Sequence, residues 1–306
     1  AQVTFEKTYP FTSAYAIKEI PGQSFIGCGV SSQSGLIYGI DRFGNLNGTF
    51  FPSLRGNKVS VMDIELDPNS GGFAICGASE DTSGNTYTGY YLLMNGMAQN
   101  TDSIFYNGGI DGPTADIVLR TSNNDFIVAA EAWYGAGTNQ SRAHKVNYPG
   151  TDGWSTLFGS NHSLNSMFLT ESDNLLTASF GWTAAASAGL HKYDTAGNSL
   201  HNFSITDTAY GGSLIFQSVT GASADGNYMF GVNVSPNVGP NSVVYLAKLD
   251  TALNVVWQKY LDWGFSVDIT AITKTSDSCI VLLLSTANGM ALHKLNSAGD
   301  SLWTQF

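Results

Sequence analysis

Apolar and polar positions along the chain fall into short runs separated by Gly-, Asn- and Asp-rich turns, and nowhere sustain a helical period. One pattern returns six times, an apolar strand running into an Asx turn. It reads Ile40-Asp41-Arg42-Phe43-Gly44, Met94-Asn95-Gly96-Met97-Ala98, Val146-Asn147-Tyr148-Pro149-Gly150, Tyr193-Asp194-Thr195-Ala196-Gly197, Leu249-Asp250-Thr251-Ala252-Leu253 and Leu295-Asn296-Ser297-Ala298-Gly299. Asp and Asn side chains bond the backbone two residues on, and Gly takes the positive φ that closes a hairpin. The period is roughly 50 residues, the range of propellers and solenoids.

Other residues keep this phase. Trp154, Trp257 and Trp303 follow the Asx position by a fixed interval, and Lys145, Lys192, Lys248 and Lys294 precede it. Upstream of each turn lie two further apolar runs, such as Asp63-Ile64-Glu65 followed by Gly72-Phe73-Ala74. Each repeat therefore holds four strands in a meander, named A to D, which describes a propeller blade. The expected fold is an all-β, six-bladed β-propeller in a single domain, with blades near 10–52, 53–107, 108–159, 160–206, 207–261 and 262–306. A linear solenoid fits less well, since no polar capping repeat stands out. One D-like strand is surplus: either residues 3–9 or Ser301 to Phe306 closes the last blade, and the other is an added edge strand.

Composition narrows the class. Charged residues are 12%, hydrophobic residues 43% and aromatics 12%, so the chain has ample material for a core. Gly is frequent, at 34, and Pro scarce, at 8, as suits many strands and tight turns. A net charge of -11 argues against nucleic acid and anionic membranes as partners. No apolar run is long enough for a membrane-spanning helix. The Ser/Thr/Asn-rich, Lys-poor composition leans to a secreted or cell-surface protein, and the start at Ala1-Gln2 directly in a strand pattern fits a mature end left by signal cleavage and an arbitrary boundary equally.

The repeats resemble the secreted β-propeller repeat proteins of Bacteroidetes, of the kind exported by the type IX secretion system. Leu249 to Tyr260 and Leu295 to Phe306 are similar to the first part of that unit. Phe25-Ile26-Gly27-Cys28-Gly29 and Phe73-Ala74-Ile75-Cys76-Gly77 are similar to its last part. The resemblance implies the propeller fold and export, with the sorting domain missing after Phe306. It also implies O-glycosylation at Asp-Ser/Thr sites, here Ser103, Thr195, Thr208, Thr251 and Ser301. Asp-Thr-Ala is equally good turn chemistry at two of these.

Candidate chemistry is sparse. His144, His191 and His293 share one repeat position and read as structural. His162 and His201 show no zinc spacing. Cys28, Cys76 and Cys279 read as buried, free thiols on strands. Asp63, Asp116 and Asp268, near the starts of A strands, form a candidate Ca²⁺ set around a central channel, against the plainer reading that each caps a turn. No nucleophile elbow, P-loop or dinucleotide fingerprint occurs. Among the six Glu, Glu80 and Glu131 are the acids placed for glycoside hydrolysis, and both also read as surface residues.

The aromatics that escape the repeat are Trp133, Tyr134, Trp182, Tyr210 and Trp263. They fall in B–C or D–A loops, which leave a blade at the same end, and loops on rigid scaffolds carry function. The leading expectation is a non-catalytic recognition or adhesion module. It would bind a glycan or a surface protein over these rings and need no cofactor beyond the candidate Ca²⁺. A secreted glycan-active hydrolase or lyase is the alternative. A third reading is a structural surface protein assembling through the surplus strand.

Overall fold

A strand covered on both faces needs apolar residues at consecutive positions, and one with a wet face alternates. Both kinds occur in the computed structural model. It describes the chain except residues 1–8, 12, 23, 32–33, 55–56, 81–86, 98, 107–113, 135–137, 149, 161, 182–186, 206–212, 223–224, 236–240, 288 and 306. The chain divides into two compact units, Ala1–Ser160 and Asn161–Phe306.

The first unit holds three sheets. Blade 1 is β1 (Ser13–Ile20), β2 (Ser24–Ser31), β3 (Ser34–Asp41) and β4 (Leu46–Phe50). A two-residue strand β5 (Ser53–Leu54) precedes blade 2, which is β6 (Asn57–Asp67), β7 (Gly72–Glu80), β8 (Tyr87–Met94) and β9 (Asn100–Tyr106). Blade 3 is β10 (Thr114–Arg120), β11 (Phe126–Tyr134), β12 (Thr138–Asn147) and β13 (Thr151–Ser160). The second unit holds three more. They are β14 (His162–Leu169), β15 (Leu175–Gly181), β16 (Ser187–Tyr193) and β17 (Ser199–Ile205); β18 (Ser213–Ala222), β19 (Tyr228–Ser235), β20 (Val243–Leu249) and β21 (Val255–Leu261); and β22 (Val267–Lys274), β23 (Ile280–Thr286), β24 (Gly289–Leu295) and β25 (Ser301–Gln305). All pairings are antiparallel meanders, and no helix occurs among the described residues. The six-bladed, four-stranded architecture is thus present. β25 completes the sixth blade, and β5 is the surplus strand, paired with β6 on the side away from β7. Residues 3–8, the other terminal candidate, lie outside the described residues.

Within each unit the first strand of a blade packs on the first three strands of the blade before it. Central strands therefore face a neighbour on both sides. Phe73 and Ile75 join the core between blades 1 and 2, while Ala74 and Cys76 join that between blades 2 and 3. In β20 every residue is buried, because Val243 and Tyr245 face blade 4 and Val244 and Leu246 face blade 6. At roughly 25 cal/mol per Å² of apolar surface, these inter-blade layers dominate the stability of each unit.

Every first strand breaks register with its second, between Ala14/Ala16, Val61/Asp63, Ala115/Ile117, Leu164/Ser166, Ile215/Ser218 and Ile269/Ala271. A bulge bends a strand and tightens its twist. It also explains the Cys-Gly pairs of β2 and β7. A Cβ on Gly29 would stand 2.1 Å from the Ser13 carbonyl oxygen, and one on Gly77 would stand 2.0 Å from that of Ser60. Only glycine admits so close an approach.

Candidate functional site

The two ends of each blade are built differently. At one end lie the A–B and C–D turns. Asp194 Oδ1 accepts the backbone N–H groups of Ala196 and Asn198 at 2.9 and 2.8 Å, and Asn198 Nδ2 donates to Asp194 Oδ2 at 3.0 Å. Asp41 with Asn45 and Asp250 with Asn254 repeat this arrangement. Where the first residue is Asn the side-chain roles reverse: Asn95 Nδ2 donates to Gln99 and Asn296 Nδ2 donates to Asp300. These bonds hold the Asp194 and Asp250 carboxyls below their ordinary range. The residue four places on, which closes the turn, is a partner that the sequence pattern did not single out. Asn147 departs from the scheme, since the N–H of Tyr148 goes to Asp125 Oδ1 at 3.0 Å.

The repeated lysines belong to the same end. Lys192 Nζ donates to the Thr251 carbonyl of the next blade at 2.7 Å, and Lys248 Nζ donates to that of Ser297 at 3.2 Å. Lys145, Lys248 and Lys294 pair with Asp125, Asp225 and Asp277 of their own A–B turns. The Trp257 ring covers Gly299 of the next blade, and its Nε1 donates to Ser297 at 3.3 Å. Trp154 is half-buried, whereas Trp303 is 44% exposed and does not pack as the repeat suggests. This end is a set of tight clasps.

One repeat histidine is structural as well. His293 is buried on β24 between the hydroxyls of Thr304, at 2.7 Å, and Ser301, at 3.2 Å. Burial lowers its pKa, and burial pushes that of His144 down to about 4. All three cysteines are free, and Cys28 and Cys76 are buried in β2 and β7. Cys279 is half-buried in the turn before β23 rather than within a strand, because the Thr275–Cys279 turn closes on its carbonyl at 2.9 Å.

The opposite end carries the B–C and D–A connections, which share no common length. They range from one residue between β13 and β14 to seven between β9 and β10, between β17 and β18 and between β19 and β20. Trp133 and Tyr134 are the last two residues of β11, paired with Asn139 and Thr138, so they extend the strand instead of standing in a loop. Glu80 and Glu131 hold backbone positions at this end of β7 and β11. Trp182 and Tyr210 lie outside the described residues, as does Thr208. Trp263, between β21 and β22, is half-buried against the core between blades 5 and 6. Its ring stands at 89° to that of His293, 5.1 Å away, and serves as a buttress.

Asp63, Asp116 and Asp268 do not occupy one repeat position. Asp63 follows the register break of β6, Asp116 lies in that of β10, and Asp268 precedes that of β22. Both oxygens of Asp63 accept backbone N–H groups, from Ile64 at 2.8 Å and Val118 at 2.9 Å. N–H dipoles aimed at a carboxylate do the work a cation would do, so Asp63 does not fit a Ca²⁺ ligand, which needs free oxygens. Asp116 accepts from Thr114 Oγ1 at 3.2 Å, and burial raises the pKa of Asp268. Among the described residues no three His, Cys, Asp or Glu gather closely enough to hold a metal.

Of the candidate glycosylation positions, Thr195 and Thr251 are exposed at C–D turn tips and Ser301 is exposed at the start of β25. Ser103 is half-buried on β9.

Neither a known family nor a curated protein matches the sequence. Solved structures do. A puromycin hydrolase is similar over 95% of this chain with a TM-score of 0.61 and 11% identity, and the chain spans only 45% of its length. A protein from Lactobacillus plantarum has a TM-score of 0.60 at 13% identity, covering 92% of this chain and 81% of its own. A glucose dehydrogenase has a TM-score of 0.54 at 10% identity, covering 94% and 97%. Identity this low shows the fold alone. That fold is the β-propeller. No helix among the described residues is long and apolar enough to cross a membrane.

Proposed function

We propose that the protein is a non-catalytic recognition module, secreted or displayed on the cell surface, that binds a glycan or protein partner at the B–C and D–A end of its blades. One observation carries this reading. Five C–D turns and three A–B turns repeat one hydrogen-bonded design and the connections at that end span three to five residues, while those at the other end span one to seven. A scaffold that holds one end constant and varies the other presents its specificity at the varied end. Trp133 and Tyr134 end β11 on that side, the sequence pattern assigns Trp182 and Tyr210 to a B–C and a D–A connection of the second unit, and flat aromatic rings with Asn, Ser and Gly suit stacking on sugars. Composition and the resemblance to exported propeller repeats support the extracellular setting.

Turnover by a glycan-active hydrolase or lyase is the competing outcome, with Glu80 and Glu131 as its acids. A glycan array probed with the full chain tests the reading. Binding that is lost in the Trp133→Ala/Trp182→Ala double variant, at unchanged melting temperature, supports it. A double variant that melts several degrees lower would show those rings to be core. Release of sugar from a bound glycan would make the protein an enzyme.

A further inference from the structure

Asp63 is a carboxylate shared between two blades. β10 is the first strand of its sheet and pairs only with β11, so alternate N–H groups along it point away from any partner strand. That of Val118 is met by Asp63 Oδ2, from the preceding blade, at 2.9 Å. The other oxygen, Oδ1, is held by the N–H of the adjoining residue, Ile64. In the second unit a neutral group does similar work, where Asn233 Oδ1 accepts the N–H of Ile269 from the next blade at 2.8 Å.

The groups around Asp63 come from five strands. Lys18 on β1 pairs with Glu65 on β6 at 2.8 Å and both act on the Asp63 carboxyl, which also interacts with Cys28 on β2 and Cys76 on β7, while Asp116 on β10 interacts with Cys76. Lys18 and the two N–H donors favour the charged form. Burial opposes it and prevails, so the carboxyl is pushed up to about 6.

We propose that Asp63 is a proton-operated latch between blades 2 and 3, holding the Val118 amide tightly when charged and loosely when protonated. The incoming proton comes from solvent. Oδ1 and Oδ2 each accept one N–H, so a proton on either oxygen removes the charge that strengthens both bonds. The protonated carboxyl keeps acceptor capacity but loses its charge, so the charge-assisted bond that holds the Val118 amide weakens to a neutral one.

NMR of the full chain between pH 7.5 and 5 tests the latch. The Val118 amide should shift with a midpoint near 6, and its protection against hydrogen exchange should fall several-fold once the intrinsic pH dependence is divided out. The Ile269 amide should stay level, and Asp63→Asn should abolish the Val118 titration. A Val118 signal that is flat across the range, or that titrates alike in Asp63→Asn, overturns the proposal. Should that variant fail to fold, the carboxyl carbon of Asp63 decides in the wild type: a midpoint at or below about 4, the ordinary range, contradicts it.

Discussion

Replacing Leu253 by alanine and, separately, by glycine sets two opposed terms against each other at one turn. Leu253 stands three residues after Asp250, where the equivalent residues Gly44, Gly197 and Gly299 adopt φ of 81°, 82° and 79°. Leu253 itself holds φ at 64°, a conformation that disfavours a side-chain-bearing residue by about 1–2 kcal/mol. Its side chain is 4% exposed and packs in the core between blades 4 and 5. Deleting a buried leucine side chain costs about 2–5 kcal/mol. Alanine loses that packing and keeps the strain. Glycine loses the same packing and sheds the strain, less about 0.5–1 kcal/mol for its greater freedom when unfolded. Both variants should therefore be destabilised, with glycine ahead of alanine by roughly 0.5–1 kcal/mol, the reverse of the usual order. Urea unfolding followed by tryptophan fluorescence reads the difference. A glycine variant less stable than the alanine variant, or two variants equal to wild type, would refute the argument.

Lys248, 4% exposed, holds Asp225 and the Ser297 carbonyl, so Lys248→Met should destabilise by about 1–3 kcal/mol in the same assay. Asp250→Asn should unfold like wild type, since Asn95 and Asn296 close equivalent turns, whereas Asp250→Ala should lower the melting temperature. Thiol titration of the native protein should find Cys279 alone reactive, and slowly, because burial and Asp277 raise its pKa, with Cys28 and Cys76 released on unfolding. For Asp63 the folded carboxyl titrates near 6 against 3.8 for the free group, so the folded state binds the proton more tightly. That stabilisation is complete below the free value and is lost as pH rises through 6, amounting to up to about 3 kcal/mol. Relative to Asp63→Asn, wild-type stability should fall between pH 4 and 7, as chemical denaturation at each pH would show.

The repeat was legible because its signals are local. An Asx residue after an apolar strand, with Gly at a fixed distance, specifies a turn whatever surrounds it, and six such turns set the blade count. The closing partners at Asn45, Gln99, Asn198, Asn254 and Asp300 were overlooked because Asn, Gln and Asp alternate there with the first residue. Grouping Asp63, Asp116 and Asp268 by their nearness to strand starts passed over a tertiary feature. A bulge shifts each relative to the others, and spacing along the chain does not show a bulge. The lysines kept phase because Lys192 and Lys248 reach the next blade's carbonyls and Lys145, Lys248 and Lys294 reach the carboxylates of their own A–B turns, partners out of reach of any local pattern. Trp263 escaped the repeat and was grouped with the loop aromatics, yet it packs on His293, a contact made 30 residues away.

Specificity at the B–C and D–A end is tested most directly by exchanging residues at one end of the blades while leaving the other intact. In one variant, segments 81–86, 182–186 and 236–240 are replaced by Gly/Ser of equal length. In a second, the exposed Phe43 and Met97 at C–D turn tips become Ser. Both are compared with the full wild-type chain on the same glycan array. Loss of binding in the first variant alone, with both remaining folded, is the predicted result. Binding that survives the first replacement, or that disappears with the second, would contradict it.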